Sequence, residues 1–250
     1  MRRSDLRALA LASVAALFSA AGGYCQELPG SADRVLEKAD AVLAPVGSSY
    51  ELRLRVAVDG ARALEYRLRN YVKDSFAQRA VFLEPVFDRG DSAIRKGDIA
   101  YFRDAAWPVY DAMNARSSFM DSAFSWEDAL CPVLSGSYEL AGIAWDLASG
   151  ERLLRCVLKP SRPGAYRRIE LWVRPDSYQT VKRVYYSPSG REWKTARYGG
   201  YVMEGGAASA WAMTMTDEST MASATISVSG RQAMRMPDSF FDPTNRGKEK

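Results

Sequence analysis

In a series of short blocks between Tyr50 and Ser229 the chain changes character at every second residue, and this period of two restricts its fold more than any other feature. In 50–58, Tyr50, Leu52, Leu54, Val56 and Val58 point one way, while Glu51, Arg53 and Arg55 point the other. In 64–69, Leu64, Tyr66 and Leu68 oppose Glu65, Arg67 and Arg69. Such alternation belongs to a pleated strand with one dry face and one wet face. Asp59-Gly60 between the two runs predicts a hairpin with a somewhat longer loop. Further blocks follow at 76–83, 99–102, 136–147, 151–159, 166–174, 178–187, 191–199, 208–216 and 222–229. Asp88-Arg89-Gly90-Asp91, Lys96-Gly97-Asp98, Ser149-Gly150, Pro163-Gly164, Pro175-Asp176, Ser189-Gly190, Gly205-Gly206 and Asp217-Glu218 punctuate them as turns. The expected fold is mainly β with a few helices, built on an antiparallel sheet that curls or closes.

Two stretches depart from this rhythm. In 31–44, Val35, Leu36, Ala39, Val42 and Leu43 recur at helical spacing, with Ser31 as N-cap, Asp33 in the first turn, and Pro45 and Gly47 as the stop. In 117–130 a partly helical segment is expected, with Ser122 able to cap a turn and Ser125, Glu127 and Asp128 exposed. Here Phe119, Met120, Phe124 and Trp126 place four large apolar side chains within eight residues. Such a segment either plugs a core or lids an apolar cavity. About ten strands of ~6 residues put roughly thirty side chains on one face of the sheet. Two helices with about five or six apolar residues each cannot cover that face if it is flat. The sheet must therefore curve, around either a packed core or a hollow lined by Leu, Val, Tyr and Met.

The N-terminus reads as an export signal. Arg2, Arg3 and Arg7 precede the apolar run 8–18, and Ser19-Ala20-Ala21-Gly22-Gly23 follows as a small-residue cleavage zone. The run is shorter than the ~20 residues a spanning helix needs. The expected organisation is a signal peptide at 1–23, one domain at 31–242 and a polar tail at 243–250. The expected location is the periplasm. Cys25 allows an acylated N-terminus, but Tyr24 stands where a small residue usually precedes such a cysteine, so a soluble exported protein is favoured. Loss of residues 1–21 removes three arginines and one aspartate from 34 basic and 30 acidic side chains, leaving a net charge of +2. That balance does not suit nucleic acid. Cys131 and Cys156 form either a disulfide, which export permits, or two buried thiols.

The chain contains no histidine. Ser-His-Asp and Cys-His catalysis are excluded, and the commonest zinc ligand is missing. No Gly-x-Gly-x-x-Gly, Walker A or Gly-x-Ser-x-Gly motif occurs. The pairs Glu127/Asp128 and Asp217/Glu218 read as solvated turns, and Arg53, Arg55, Arg67, Arg69, Arg167 and Arg168 as a wet outer face interleaved with Glu51, Glu65 and Glu170, with attraction of anionic headgroups or an acidic partner as the alternative. Trp145, Trp172, Trp193 and Trp211 read as core or rim. No enzyme activity, cofactor or metal is expected.

A set of motifs carries a resemblance. Phe82-Leu83-Glu84-Pro85, Arg89-Gly90, Lys96-Gly97-Asp98-Ile99-Ala100-Tyr101-Phe102, Ser118-Phe119-Met120 through Phe124-Ser125-Trp126-Glu127-Asp128, and Met236-Pro237-Asp238-Ser239-Phe240-Phe241 resemble the outer-membrane lipoprotein-sorting family. More narrowly, they look like the LolA-like domain of bacterial envelope proteins, including a spirochaete branch. The family motif usually has Gly where Asp121 stands and Asp where Ala123 stands. The resemblance implies an open, strongly curved antiparallel half-barrel covered by helices, whose apolar cavity takes lipoprotein acyl chains or lipid. The implied role is that of a periplasmic carrier, a monomer passing cargo from an inner-membrane donor to an outer-membrane acceptor. An envelope sensor or protein-binding module of the same fold is the alternative. On this reading Leu52, Leu54, Val56, Leu64, Tyr66 and Leu68 form the cavity wall, and Phe119, Met120, Phe124 and Trp126 form the lid or plug.

Overall fold

A computed structural model describes residues 32–57, 63–74, 76–96, 99–107, 109–114, 116–130, 133–147, 150–161 and 165–244. The signal-peptide stretch, Cys25, Ser31, the turns at Asp59-Gly60 and Gly97-Asp98, Cys131 and the last six residues lie outside them.

Among the described residues, thirteen strands form one antiparallel sheet. They are β1 (Ser48–Val56), β2 (Leu64–Val72), β3 (Ala77–Glu84), β4 (Ser92–Lys96), β5 (Ile99–Arg103), β6 (Asp111–Met113), β7 (Tyr138–Asp146), β8 (Leu153–Pro160), β9 (Arg168–Val173), β10 (Thr180–Tyr186), β11 (Glu192–Glu204), β12 (Ala207–Asp217) and β13 (Ser223–Ala233). Their order is β6-β5-β4-β3-β2-β1-β13-β12-β11-β10-β9-β8-β7. The chain thus starts in the middle of the sheet, steps outward to the β6 edge, jumps to the β7 edge and steps back until β13 pairs with β1. β6 and β7 stay unpaired with each other, so the sheet is open. Register shifts in β1, β2, β7, β10 and β11 interrupt the ladders. Bulges of this kind strengthen local twist and bend a sheet.

The jump fixes what covers the sheet. The connection between the opposite edges, described at 116–130 and 133–137, passes over the face that also carries helix α1 (Ala32–Leu43). The α1 stripe Val35, Leu36, Ala39, Val42 and Leu43 is buried as its spacing predicts. The helix packs on β7 and β12. The Trp211 indole on β12 donates to the Leu43 carbonyl at 3.1 Å, satisfying one acceptor that the helix end leaves open. Pairing lines up inward side chains in rows across the sheet. One runs Phe82, Leu68, Leu52, Val228, Trp211; the next runs Tyr66, Leu54, Ile226, Met213, Tyr198.

Three sequence expectations change. β4 was not expected, because its first four residues are all buried and show no alternation. β6 was missed because three residues are too few to display a period. Of 117–130 only α2 (Trp126–Leu130) is helical. Its cap is Ser125 rather than Ser122: the Ser125 hydroxyl accepts the Asp128 N–H at 3.1 Å, and Asp128 Oδ2 accepts the Ser125 N–H at 3.0 Å. This is a capping box with Asp in the third position.

Candidate functional site

The crossing segment begins with a tight loop. Ser118 and Ser125 bridge across it; Phe119 N–H donates to the Phe124 carbonyl at 2.8 Å, and the Ser118 hydroxyl to the Ser122 carbonyl at 2.7 Å. To close so tightly the chain takes left-handed backbone at Met120 (φ 51°) and Asp121 (φ 53°). Glycine adopts that conformation without the Cβ penalty. A glycine at position 121 would take this backbone without that penalty.

The loop drives its aromatics into the sheet. Phe119 (1% exposed), Phe124 and Trp126 are buried, and Met120 is half-buried. Phe119 and Trp126 meet edge-to-face with centroids 4.7 Å apart. Trp126 also meets Phe102 at 5.5 Å, and Phe119 meets Phe82 at 6.2 Å. Of the expected wall, Leu52, Leu54, Val56 and Leu68 are buried in the same continuous core. Tyr66 is half-buried and packs edge-on to Phe82 at 6.4 Å; Leu64, at the end of its row, is 50% exposed. The structure therefore brings five of the six wall positions and all four segment positions to one core, with Leu64 at its rim.

Beneath the covering helices lies a buried polar layer that was not expected. Two inward strand positions carry cations, Arg183 on β10 and Lys194 on β11, and each covering helix brings one acid. From α1, Asp40 places Oδ1 4.0 Å from Arg183 Nη2, while its Oδ2 accepts the N–H groups of Leu134 (3.0 Å) and Ser135 (2.6 Å). Asp40 thus ties α1 both to the sheet and to the far end of the crossing segment. From α2, Asp128 Oδ2 accepts the Tyr166 hydroxyl at 2.7 Å and the Ser125 hydroxyl at 2.7 Å, and lies 3.5 Å from Lys194 Nζ. Burial raises the Asp40 carboxyl above the usual carboxylate range, against the opposing pull of Arg183 and the two N–H groups. Burial also works against charge on Arg183, but Tyr198, Tyr185 and Asp40 outweigh it and keep the guanidinium protonated. A void of about 10 Å³ sits in this layer, lined among others by Arg95, Tyr138, Tyr166 and Tyr185. That is room for about one water molecule. Among the described residues, no group of His, Cys, Asp and Glu could hold a metal ion.

A family described as uncharacterized protein matches residues 81–245. The solved structure of a LolA superfamily protein from Nitrosomonas europaea aligns with a TM-score of 0.75 at 22% identity, over 84% of this chain and 97% of its own. The chain belongs to the uncharacterized-protein family matched over residues 81–245, and it has the LolA-like fold. A domain assigned to outer membrane lipoprotein sorting in Vibrio parahaemolyticus aligns over 84% of this chain and 95% of its own, with a TM-score of 0.70 and 16% identity. No curated protein matches the sequence significantly.

In this LolA-like domain the reading of Asp128 as solvated is corrected. It is buried because its pairing partners, Tyr166 and Lys194, come from distant parts of the chain. The sequence did hold a signal for the layer. Asp40 falls four residues after Leu36 on the apolar stripe, Arg183 shares the inward phase of Tyr185, and Lys194 shares that of Ala196 and Tyr198. A charged residue in an apolar phase marks a buried ion pair. Glu170, read as part of the wet face, is also buried, held by Arg155 at 2.7 Å and Arg168 at 3.2 Å. Cys156 is a buried free thiol, its pKa pushed up to about 12 by burial; Cys131 is outside the described residues. Among those residues no helix is long and apolar enough to cross a membrane.

Proposed function

We propose that the protein is a non-catalytic carrier in the bacterial envelope, taking lipoprotein acyl chains or lipid between the inner face of its sheet and the crossing segment. The observation that supports this best is the seating of Phe119, Phe124 and Trp126 on the wall residues by a segment joined to the rest of the fold through polar ties that include Asp40, Tyr166 and Lys194. With the aromatics in place the segment is a plug; lifted, it is a lid that exposes the rows of Leu52, Leu54 and Leu68. Each methylene of cargo buried there contributes about 0.8 kcal/mol, so part of an acyl chain can offset the displaced aromatics. Uptake and release then need a donor and an acceptor but no covalent chemistry. The carrier reading places the protein in the periplasm, reached through the 1–23 signal. Native mass spectrometry of protein isolated from its own envelope tests it, together with a fluorescent fatty-acid probe. Bound lipid and probe binding support the carrier; absence of both refutes it.

One observation favours the alternative, a module that binds an envelope protein. Val86, Phe87 (82% exposed) and Trp107 (63% exposed) stand out from the β3–β4 and β5–β6 loops. These loops touch, since Asp91 Oδ1 accepts the Ala105 N–H at 2.8 Å. A pull-down returning one stable partner, with no acyl-chain signal, supports this second reading.

A further inference from the structure

The sheet face turned away from α1 and the crossing segment carries a basic groove. Tyr186 on β10 is registered with Arg168 on β9, and the neighbouring pair Leu158–Ile169 sets Lys159 on β8 beside Arg168. With Pro160, Arg167 and Gly190, these side chains line a groove of about 560 Å³. Its cations are held differently. Arg168 is fixed: its guanidinium lies 3.8 Å over the Tyr186 ring, and its Nη2 is 3.2 Å from Glu170 Oε1. Glu170 divides its charge between Arg168 and Arg155. Two further acids lie nearby: Glu192 accepts the Tyr186 hydroxyl at 3.3 Å, and Glu139 on β7 is registered opposite Lys159. Lys159 and Arg167 are exposed and make no ion pair among the described residues. Arg167 is placed by its backbone, whose N–H donates to the Tyr186 carbonyl at 2.9 Å. Its Nη1 lies 3.6 Å from where a Cβ on Gly190 would stand, close to the tip of the β10–β11 turn.

We propose that this groove binds a phosphate-bearing anion, either a soluble phosphate ester or the phosphate of a lipid headgroup. The guanidinium fork of Arg167 matches phosphate oxygens, and Lys159 adds a point charge. The Tyr186 ring and Pro160 offer an apolar wall to the group that carries the phosphate. The groove lies on the opposite face of the sheet from the acyl-chain space, so it does not rest on the carrier reading.

The test compares the wild-type chain with K159Q/R167Q, which leaves Arg168 and its partners intact. Glycerol 1-phosphate is titrated by calorimetry, with glycerol as the uncharged control. Vesicles of phosphatidylglycerol in phosphatidylcholine are sedimented beside vesicles of phosphatidylcholine alone. Wild type is expected to bind at least one phosphate-bearing probe, less tightly as salt is added. The double variant should bind it roughly 30-fold more weakly, about fivefold per charge, with unchanged thermal unfolding. Binding of glycerol 1-phosphate identifies a soluble ester as ligand; binding of the phosphatidylglycerol vesicles alone identifies a headgroup. No binding of either phosphate probe, or equal binding by the double variant, overturns the proposal.

Discussion

Replacing Asp128 with alanine removes the single acid that α2 contributes to the interior. The Ser125 N–H and hydroxyl lose their acceptor at the helix start, a cap worth about 1 kcal/mol. The buried Tyr166 hydroxyl loses its acceptor at 2.7 Å, which costs about 1–3 kcal/mol. Lys194, with its side chain 6% exposed, is left as a buried charge 3.5 Å from an empty place, and breaking such a pair costs about 3–5 kcal/mol. The three losses share one carboxylate and do not add in full. The expected destabilisation in urea unfolding is therefore about 3–5 kcal/mol, with an unchanged denaturant slope. Lys194→Met in the same background removes the orphaned charge and keeps the volume. The double variant should recover about 2 kcal/mol or more. A fluorescent fatty-acid probe should also bind D128A more tightly than wild type, because the segment is freed from the sheet. A cost below about 1 kcal/mol, with no recovery in the double variant, would show that this carboxylate does not hold α2 down. Unchanged probe binding in a clearly destabilised D128A would show that the segment is a plug and not a lid.

The remaining predictions concern single positions. The folded Asp40 carboxyl has a pKa above its unfolded value, so the fold binds that proton more tightly. Its contribution is largest below the usual carboxylate range and falls as pH rises through the folded value. The stability of wild type relative to D40N should accordingly decline from acid towards neutral pH, and a pH-independent difference in urea midpoint refutes the raised carboxyl. Asp121→Gly, at φ 53°, should stabilise the chain by about 0.5–1 kcal/mol, seen as a higher urea midpoint; a loss means that the Asp side chain supports the loop. Cys156, whose thiol burial holds at a pKa of about 12, should resist a thiol reagent in the native state and react once unfolded. Fast native labelling at Cys156, located by mass spectrometry, contradicts its burial.

Period two, together with the turn residues between its runs, located eleven of the thirteen strands among the described residues, and helical spacing located the buried stripe of α1. These are local patterns, in which each side chain's direction follows from its neighbours along the chain. The aromatic cluster at 119–126 was legible for the same reason, because large apolar groups so close together must be buried somewhere. Tertiary structure decided where. The pairing of β1 with β13 and the placing of β6 and β7 at opposite edges join residues far apart in the chain, and no local period encodes such pairings. That order sends the crossing segment across the sheet and brings Asp128 to Lys194 and Tyr166, and Asp40 to Arg183. The sequence puts Arg183 in phase with Tyr185 and Lys194 in phase with Ala196 and Tyr198; the fold decides that this phase is the inward one. Only the fold supplies the acids that let them stay charged there, since the burial penalty is met by partners from two separate helices.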